Sequence, residues 1–249
     1  MNSFRIAKNP VKMPAKYFLL GEKTPFNVRE AYRSIRTNLL SVLAVYSDTP
    51  KHICFTSAEM GDGKTLNCAN IAVVFAEMGA KVLVVDADMR KPKIHRVFKI
   101  PATPGLSECL SGFSDVKKAI MQCKDVDGLY VLPSGKTPPN PTELILSQRF
   151  DTLLASLSAD FDYIFIDAPP ATIVTDATII SKKTLGAICV CKSGKTRTDD
   201  AKKVKDAVER GGGKLIGALL NGVDYSRLKR KKYGTNYNYY ESSMDDVDA

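Results

Sequence analysis

The sequence lacks a long hydrophobic run, a Cys-x-x-Cys pair and the features of a secretory leader. No apolar run approaches the ~18 residues that cross a membrane as a helix, so we expect no transmembrane helix. The N-terminus has no apolar core of the kind that signal peptides carry. Six cysteines are scattered along the chain, which favours reduced, buried thiols in a cytosolic protein.

What the chain has instead is the composition of a globular protein. Its 249 residues are 44% hydrophobic and 25% charged, which is enough to build a substantial core in one α/β domain. The formal net charge is +9. A basic body suits an acidic partner such as a nucleotide, a nucleic acid or an anionic membrane, and composition does not choose among these.

Residues 53–65 form the stretch around which the chain is organised. An apolar run leads into a loop with Gly61 and Gly63, the loop ends in Lys64 and Thr65, and an apolar pattern of helical period follows. Glycine allows the backbone N–H groups to turn inward around phosphate oxygens, and the helix N-terminus adds partial positive charge. Lys64 can reach the β- and γ-phosphates, and Thr65 can offer a hydroxyl to Mg²⁺. The pattern predicts a phosphate loop between a strand and a helix.

Two details bear on that prediction. The usual pattern has a glycine six residues before the lysine, where this chain has Ala58. A second Gly-Lys-Thr occurs at residues 194–196, but it lacks a neighbouring glycine and follows its strand too closely to wrap a phosphate. We therefore predict that Lys64, and not Lys195, is the nucleotide lysine.

Aspartates end two further apolar runs. Asp86 and Asp88 follow four consecutive apolar residues, which is typical of a strand buried on both faces of a parallel sheet. Asp167 ends the run at residues 162–167, and two prolines follow it. Ligands bind at the carboxyl ends of such strands, and carboxylates there suit Mg²⁺ or acceptance of a hydroxyl proton.

A charged ridge is predicted on the first helix, residues 28–46. Glu30, Arg33 and Arg36 are spaced three apart, so they share one helix face. Spacing alone favours a solvated face with weak ion pairs, worth ~0.3–0.5 kcal/mol each.

The rest of the chain alternates between helices and strands. We predict, in order, short helices within 104–128, a strand at 129–132, a helix from Asn140 as N-cap to about 157, a strand at 185–191, a helix at 198–210 and a strand at 214–220. Asn221 then either contacts a nucleotide base or lies in an ordinary turn. The fold expected is a mostly parallel central sheet with helices on both faces.

The two ends differ from this body. Residues 1–27 are polar with scattered prolines, and we predict an irregular segment before a domain at 28–224. Residues 225–249 contain a basic run, five of the ten tyrosines and an acidic end. Little in this tail could pack against a core, so we predict that it is disordered.

Taken together, the motifs resemble the cytosolic kinase half of bacterial tyrosine kinases, of the capsule and exopolysaccharide type in Gram-positive bacteria. The resemblance covers residues from about 28 to the end. Residues 55–65 are similar to the family's first motif, with Met60 and Asp62 where Pro and Glu are usual. Residues 83–90 match the second motif fully, and 164–169 match the third.

The resemblance implies the architecture of a phosphate-loop ATPase. It also implies an enzyme that uses ATP and Mg²⁺ to phosphorylate tyrosine and that regulates polysaccharide synthesis and export in this way. The catalytic residues it implies are Lys64, Asp86, Asp88 and Asp167, and the metal residues are Thr65, Asp86, Asp88 and Asp167. The implied nucleotide contacts are Ser57, Gly61, Asp62, Gly63, Lys64, Thr65, Leu66 and Asn221.

The resemblance also implies partners. Glu30, Arg33 and Arg36 match the family's ring-interface motif, which reverses the reading from spacing alone. The tail is similar to the family's autophosphorylation cluster, with Tyr233, Tyr237, Tyr239 and Tyr240 as its sites. The resemblance implies a membrane adaptor that activates the kinase at the inner face of the plasma membrane. It also implies a cognate tyrosine phosphatase, and it implies no nucleic-acid partner.

Two other functions compete with this one. A partitioning or division-site ATPase has a similar fold, but such proteins carry an extra lysine where this chain has Glu59, and they lack a tyrosine tail. A nucleotide-dependent scaffold for polysaccharide export would need no phosphotransfer at all.

Overall fold

The computed structural model describes residues 19–46 and 51–223. Within them, seven strands form one sheet in the order β3-β4-β2-β5-β1-β6-β7. All neighbours are parallel except β3 and β4. The strands are β1 His52–Ser57, β2 Val82–Asp86, β3 Met121–Gln122, β4 Leu129–Leu132, β5 Tyr163–Asp167, β6 Gly186–Lys192 and β7 Leu215–Asn221.

Helices cover both faces of this sheet, as predicted. They are α1 Phe26–Ala44, α2 Lys64–Ala76, α3 Ile94–Val97, α4 Leu106–Ser111, α5 Val116–Ala119, α6 Pro141–Leu146, α7 Gln148–Leu157, α8 Asp176–Lys182 and α9 Thr198–Arg210. Successive residues of each central strand point to opposite faces, so each strand contributes to two cores. Ile53 and Phe55 pack with α1 to α3, whereas Cys54 packs with the helices of the other face.

Three phenylalanines fasten the first helix after the phosphate loop to the middle of the sheet. Phe75 of α2 lies edge-on to Phe165 of β5, with ring centroids 5.1 Å apart. Phe165 in turn lies edge-on to Phe55 of β1, at 5.6 Å. All three side chains are fully buried. Burial of such rings stabilises by about 1.5–3 kcal/mol each, so the C-terminal part of α2 is held against the middle of the sheet.

The helix predicted over residues 141–157 is wrong in one respect. Ser147 adopts an extended conformation, with φ −64° and ψ 150°, and it separates α6 from α7. The side chain of Ser147 donates to the carbonyl oxygen of Leu144, which closes the end of α6. The apolar pattern continues across this break, so the sequence does not reveal it.

Three short elements were not predicted, and the first helix begins earlier than expected. The missed elements are β3, α3 and α8. Helix α1 begins at Phe26, and Leu20 before it is buried in the core with its backbone N–H bonded to Asn70. Residues 1–18 and the predicted tyrosine tail lie outside the described residues. No helix in the described ranges is long and apolar enough to cross a membrane.

Candidate active site

The phosphate loop connects β1 to α2 at the centre of the sheet. Gly61 and Gly63 adopt φ of +87° and +102°, the left-handed region that glycine enters without strain. A side chain at Gly63 would also collide with Asn221, whose amide nitrogen would lie 2.1 Å from the added Cβ. The hydroxyl of Ser57 donates to the carbonyl oxygen of Glu59 and helps to shape the turn. Helix α2 begins at Lys64, so its positive N-terminal end points into the loop.

Lys64 lies between two of the predicted carboxylates. Its Nζ is 2.9 Å from Oδ2 of Asp88 and 3.4 Å from Oδ1 of Asp167, and 3.5 Å from the hydroxyl of Thr65. Burial lowers the pKa of Lys64, but Asp167 and Asp88 outweigh that effect, so the net shift is upward. The lysine is therefore a permanent cation at the mouth of the loop.

Asp86 differs from Asp88 in its surroundings. It is fully buried, and its two oxygens accept hydrogen bonds from the backbone N–H groups of Asp88, Lys93 and Ile94. Burial, followed by the nearby charge of Asp167, raises the pKa of Asp86 to about 8. Asp86 thus fixes the loop that carries Asp88, and with this pKa it is mostly protonated at neutral pH.

Asp167 is the carboxylate that has an oxygen free to bind a ligand. It stands directly beside Asp86, because the two residues pair in register across β2 and β5. Its Oδ2 is buried and has no hydrogen-bond partner among residues 19–46 and 51–223. Burial raises the pKa of Asp167, while Lys64 and the Thr65 hydroxyl act against that rise. A buried oxygen without a partner is costly unless a ligand satisfies it.

These oxygens fit a hard cation that is shared with a ligand. Mg²⁺ prefers oxygen ligands and usually takes only one or two carboxylates, with water and phosphate completing its shell. The free Oδ2 of Asp167 and the Thr65 hydroxyl nearby supply such ligands. In the described part of the chain, no three Asp, Glu, His or Cys side chains are arranged to hold a metal alone.

The remaining predicted nucleotide residues also surround the loop. The side-chain amide of Asn221, at the end of β7, donates to the carbonyl oxygen of Asp62 at 2.9 Å. The carboxylate of Asp62 is buried and accepts from the backbone N–H of Glu59. Leu66 lies in the first turn of α2, partly buried against the core. Asn221 is therefore neither in an ordinary turn nor remote from the site.

Three contacts at the site were not predicted from the sequence. The side chain of Lys195 reaches the phosphate loop from the turn after β6. The hydroxyl of Tyr32, on α1, bonds to Asn67 of α2. Arg90 pairs with the buried Asp176, which keeps the N-terminus of α8 beside the second motif. Each contact joins elements far apart in sequence, so no local pattern predicts it.

The predicted interface residues lie on α1, on the side of the molecule that carries α2. Arg33 pairs with Glu30 at 2.7 Å, and both side chains remain over one-third exposed. Arg36 donates to the carbonyl oxygen of Val74 in α2. The ridge thus divides into an exposed pair and an arginine that fastens α1 to α2. The four predicted autophosphorylation tyrosines lie outside the described residues.

Comparison with known proteins gives consistent relatives. Residues 50–185 match a family described as an AAA domain. The tyrosine-protein kinase YwqD of Bacillus subtilis (strain 168) is 39% identical over 213 residues, covering 85% of this chain and 89% of that protein. The putative tyrosine-protein kinase CapB of Staphylococcus aureus is 35% identical over 219 residues, covering 88% and 92%.

Solved structures are similar in fold. The kinase domain of the Escherichia coli tyrosine kinase ETK has a TM-score of 0.75 at 30% identity, covering 84% of this chain and 79% of that one. The chimerical protein CapA2B2 has a TM-score of 0.72 at 38% identity, covering 80% and 85%. The cell division ATPase MinD of Pyrococcus furiosus scores 0.60 at 26% identity, covering 79% and 80%. The phosphate-loop fold and the nucleotide-binding function that it implies are therefore confirmed, and the chain belongs to the bacterial tyrosine-protein kinase family.

Proposed function

We propose that this protein transfers the γ-phosphoryl group of ATP to tyrosine hydroxyls, first of all those of its own C-terminal segment. The observation that carries the proposal is the position of Lys64, between Asp88 and Asp167 at the mouth of a phosphate loop. A lysine that binds phosphate and carboxylates that can take a proton or hold a cation meet there within hydrogen-bond distance. The kinase relatives support the same activity.

The roles follow from the contacts. When ATP enters, Lys64 leaves the carboxylates and binds the phosphate oxygens, which carry more charge. Thr65 and Asp167 would hold Mg²⁺, which supplies neutralisation of charge on the phosphates as the γ-phosphoryl group departs. The backbone N–H groups of the loop and the N-terminus of α2 orient the same phosphates. These steps place the nucleotide with its terminal phosphate facing Asp88.

Asp88 is the better candidate for the proton acceptor. Its Oδ2 loses its partner once Lys64 turns to the phosphates, whereas Asp86 keeps three backbone donors and is fully enclosed. The tyrosine hydroxyl gives its proton to Asp88 as its oxygen bonds to the γ-phosphorus. The bond between that phosphorus and the bridging oxygen breaks, and ADP leaves. Asp86 then acts by positioning, because it holds the backbone of Asp88 and of the following turn.

The test is phosphotyrosine on the purified protein. Incubation with ATP and Mg²⁺ should give phosphotyrosine detectable by mass spectrometry, and removal of Mg²⁺ by chelation should abolish it. Lys64→Met should lose the signal while keeping the fold by circular dichroism. ATP hydrolysis without phosphotyrosine would instead indicate an ATPase of the partitioning or division-site kind. That alternative is disfavoured by Glu59, which stands where those proteins carry a lysine and pairs with Lys195.

We further infer that the kinase assembles with copies of itself and with a membrane adaptor at the inner face of the plasma membrane. The exposed Glu30–Arg33 pair on α1 is available for contacts between subunits. The related structure CapA2B2 is a chimerical protein. Regulation of capsule or exopolysaccharide synthesis, and reversal by a tyrosine phosphatase, belong to the same proposal. Co-purification of the protein with a membrane protein from its own cells would support the adaptor, and the absence of such a partner would count against it.

A further inference from the structure

The turn after β6 places a second lysine against the phosphate loop. Strand β6 lies directly beside β1, so the loops that follow the two strands are neighbours. The turn is tight, because the backbone N–H groups of Lys195 and Thr196 both donate to the carbonyl oxygen of Lys192. The hydroxyl of Thr196 accepts from the N–H of Lys192 and closes the turn from the other side. The base of the Lys195 side chain is therefore fixed.

The ammonium group of Lys195 contacts three residues of the phosphate loop. Its Nζ lies 3.0 Å from the carbonyl oxygen of Met60 and 2.9 Å from Oδ1 of Asp62. It also lies 3.0 Å from Oε2 of Glu59. An ammonium group has three N–H donors, so all of them are engaged. The lysine spans the outer half of the loop, between the strand and the residue that precedes Gly63.

The contact with Lys195 matters because the carboxylate of Asp62 is buried and needs a paired cation. Its side chain is only 1% exposed, and it sits in a loop whose ligand is strongly negative. A buried carboxylate without a paired cation is costly, and it would also repel phosphate. Among the ion pairs of the described residues, Lys195 is the cation that reaches it. Hydrogen bonds that Lys195 donates to Asp62 and Glu59 raise the pKa of Lys195, so the lysine keeps its charge.

The two lysines therefore have separate positions at the same loop. Lys64 rises from the inner end of the loop and contacts the carboxylates of the site. Lys195 approaches from the outside and contacts only the loop itself. Its side chain is 39% exposed.

We propose that Lys195 is a positioning residue for nucleotide binding: it neutralises Asp62 and holds the phosphate loop in the shape that receives ATP. The inference rests on the proposed function for the identity of the ligand, but its test does not require phosphotransfer. Lys195 touches no reacting atom, so its removal weakens binding of ATP and ADP and leaves turnover at saturating ATP in place.

The experiment measures the affinity of purified full-length variants for ADP and for a non-hydrolysable ATP analogue by calorimetry. Lys195→Met should weaken binding about tenfold to a hundredfold, the range expected for loss of hydrogen bonds between charged groups. Lys195→Arg should recover most of the affinity, since it restores the charge and the donors. Lys192→Met removes the same charge from the same turn without touching the phosphate loop, and it should bind as the wild type does. Where phosphotransfer is measured, KM for ATP should rise in Lys195→Met and kcat should change by less than about threefold.

A double-mutant cycle separates positioning from a general loss of charge. In an Asp62→Asn background the buried charge is gone, so Lys195→Met should cost much less affinity than in the wild type. Lys195→Gln, which keeps a donor but not the charge, serves if the methionine variant does not fold, and it should also weaken binding. The proposal is overturned by wild-type affinity in Lys195→Met or Lys195→Gln, by an equal loss in Lys192→Met, or by an undiminished loss in the Asp62→Asn background. If the wild-type protein binds nucleotide normally but does not phosphorylate tyrosine, the kinase assignment is contradicted. The proposed role of Lys195 in nucleotide binding would not be affected by that result.

Discussion

The hydroxyl of Tyr32 donates a hydrogen bond of 3.0 Å to the side-chain oxygen of Asn67, which connects α1 to the first turns of α2. The amide nitrogen of Asn67 donates in turn to the carbonyl oxygen of Gly63, at 2.9 Å. Two hydrogen bonds thus join the helix that carries the predicted subunit interface to the phosphate loop. Tyr32 is largely buried, and burial raises its pKa. The hydroxyl therefore remains protonated and able to donate.

Tyr32→Phe should lower both the stability and the nucleotide affinity of the protein. The substitution keeps the ring but leaves Asn67 without its donor, which costs about 1–3 kcal/mol for a buried group. We expect this loss in chemical denaturation, together with a severalfold weaker affinity for ADP, because Asn67 also holds Gly63. Tyr46→Phe is the matched control, since that hydroxyl contacts Lys214 at the far end of α1. Equal effects of the two substitutions would argue against a connection to the loop.

The carboxyl pair Asp86 and Asp167 should make the nucleotide-free protein less stable as the pH rises. Asp86 has a folded pKa of about 8, against ~3.9 for an unfolded aspartate. Between these values the folded state binds a proton that the unfolded state has released, so the free energy of unfolding falls with increasing pH. Asp167, whose pKa is also raised, contributes in the same direction.

Asp167→Asn should reduce the fall in the free energy of unfolding between pH 5 and pH 8 by at least about 1 kcal/mol. The substitution removes one carboxyl, and it also removes the charge that, together with burial, raises the pKa of Asp86. Thermal denaturation without nucleotide or Mg²⁺ measures the effect. Asp160→Asn, at an exposed position, should leave the pH dependence as it is in the wild type. Parallel curves for wild type and Asp167→Asn would contradict the assignment. The same variant should lose Mg²⁺-dependent phosphotransfer by a factor of about a hundred or more.

Reversal of charge at Arg33 should disrupt assembly without loosening the fold. Among the described residues, the guanidinium of Arg33 pairs with Glu30 at the surface, an ion pair that is worth little, whereas Arg36 connects α1 to α2. Arg33→Glu should therefore give a lower mass by light scattering at an unchanged melting temperature. Lys202→Glu changes an exposed pair of the same spacing on α9, so its mass should equal that of the wild type. An unaltered mass in Arg33→Glu would return the ridge to a solvated face.

Phosphorylation of the C-terminal tyrosines should take place between subunits. A Lys64→Met subunit with residues 225–249 intact is mixed with an active subunit truncated after Asp224. Phosphotyrosine on the inactive subunit is the expected result. A signal seen only when the active site and the tyrosines share one chain would contradict transfer between subunits. Full modification of five tyrosines would add on the order of −8 to −10 charges, which should repel the segment from the aspartate-lined site.

The parts of the site that could be predicted are those coded by local chemistry. The phosphate loop is recognisable because glycine, lysine and a hydroxyl must follow one another there, and Asp86 and Asp167 are recognisable because a buried strand ends at each. The order of strands also follows in part, since a buried apolar run indicates a central parallel strand. The break at Ser147 is not coded in this way, because the apolar residues on either side keep a helical period.

The contacts that were missed depend on pairings between distant elements. The short loop before Lys195 predicts that it is not the phosphate-loop lysine, but nothing local reveals that β6 lies beside β1. Asn67 reads as an ordinary polar helix residue until α1 is docked against α2. Asp62 looks like a tolerated replacement in the loop, and only its burial shows that it needs a cation.

The hydrogen bond from Asn221 to Asp62 fixes where the C-terminal segment departs from the body. Tyr225 follows Asn221 by four residues in the sequence, a length of chain that spans at most ~14 Å when fully extended. We expect this tether to supply each catalytic centre with its own tyrosines. Their effective concentration at the site would be in the millimolar range. Transfer to a neighbour has to compete with this tethered supply. The kinetic order of the reaction therefore carries structural information: a rate per molecule that rises with protein concentration reports assembly, and a constant rate reports the tether.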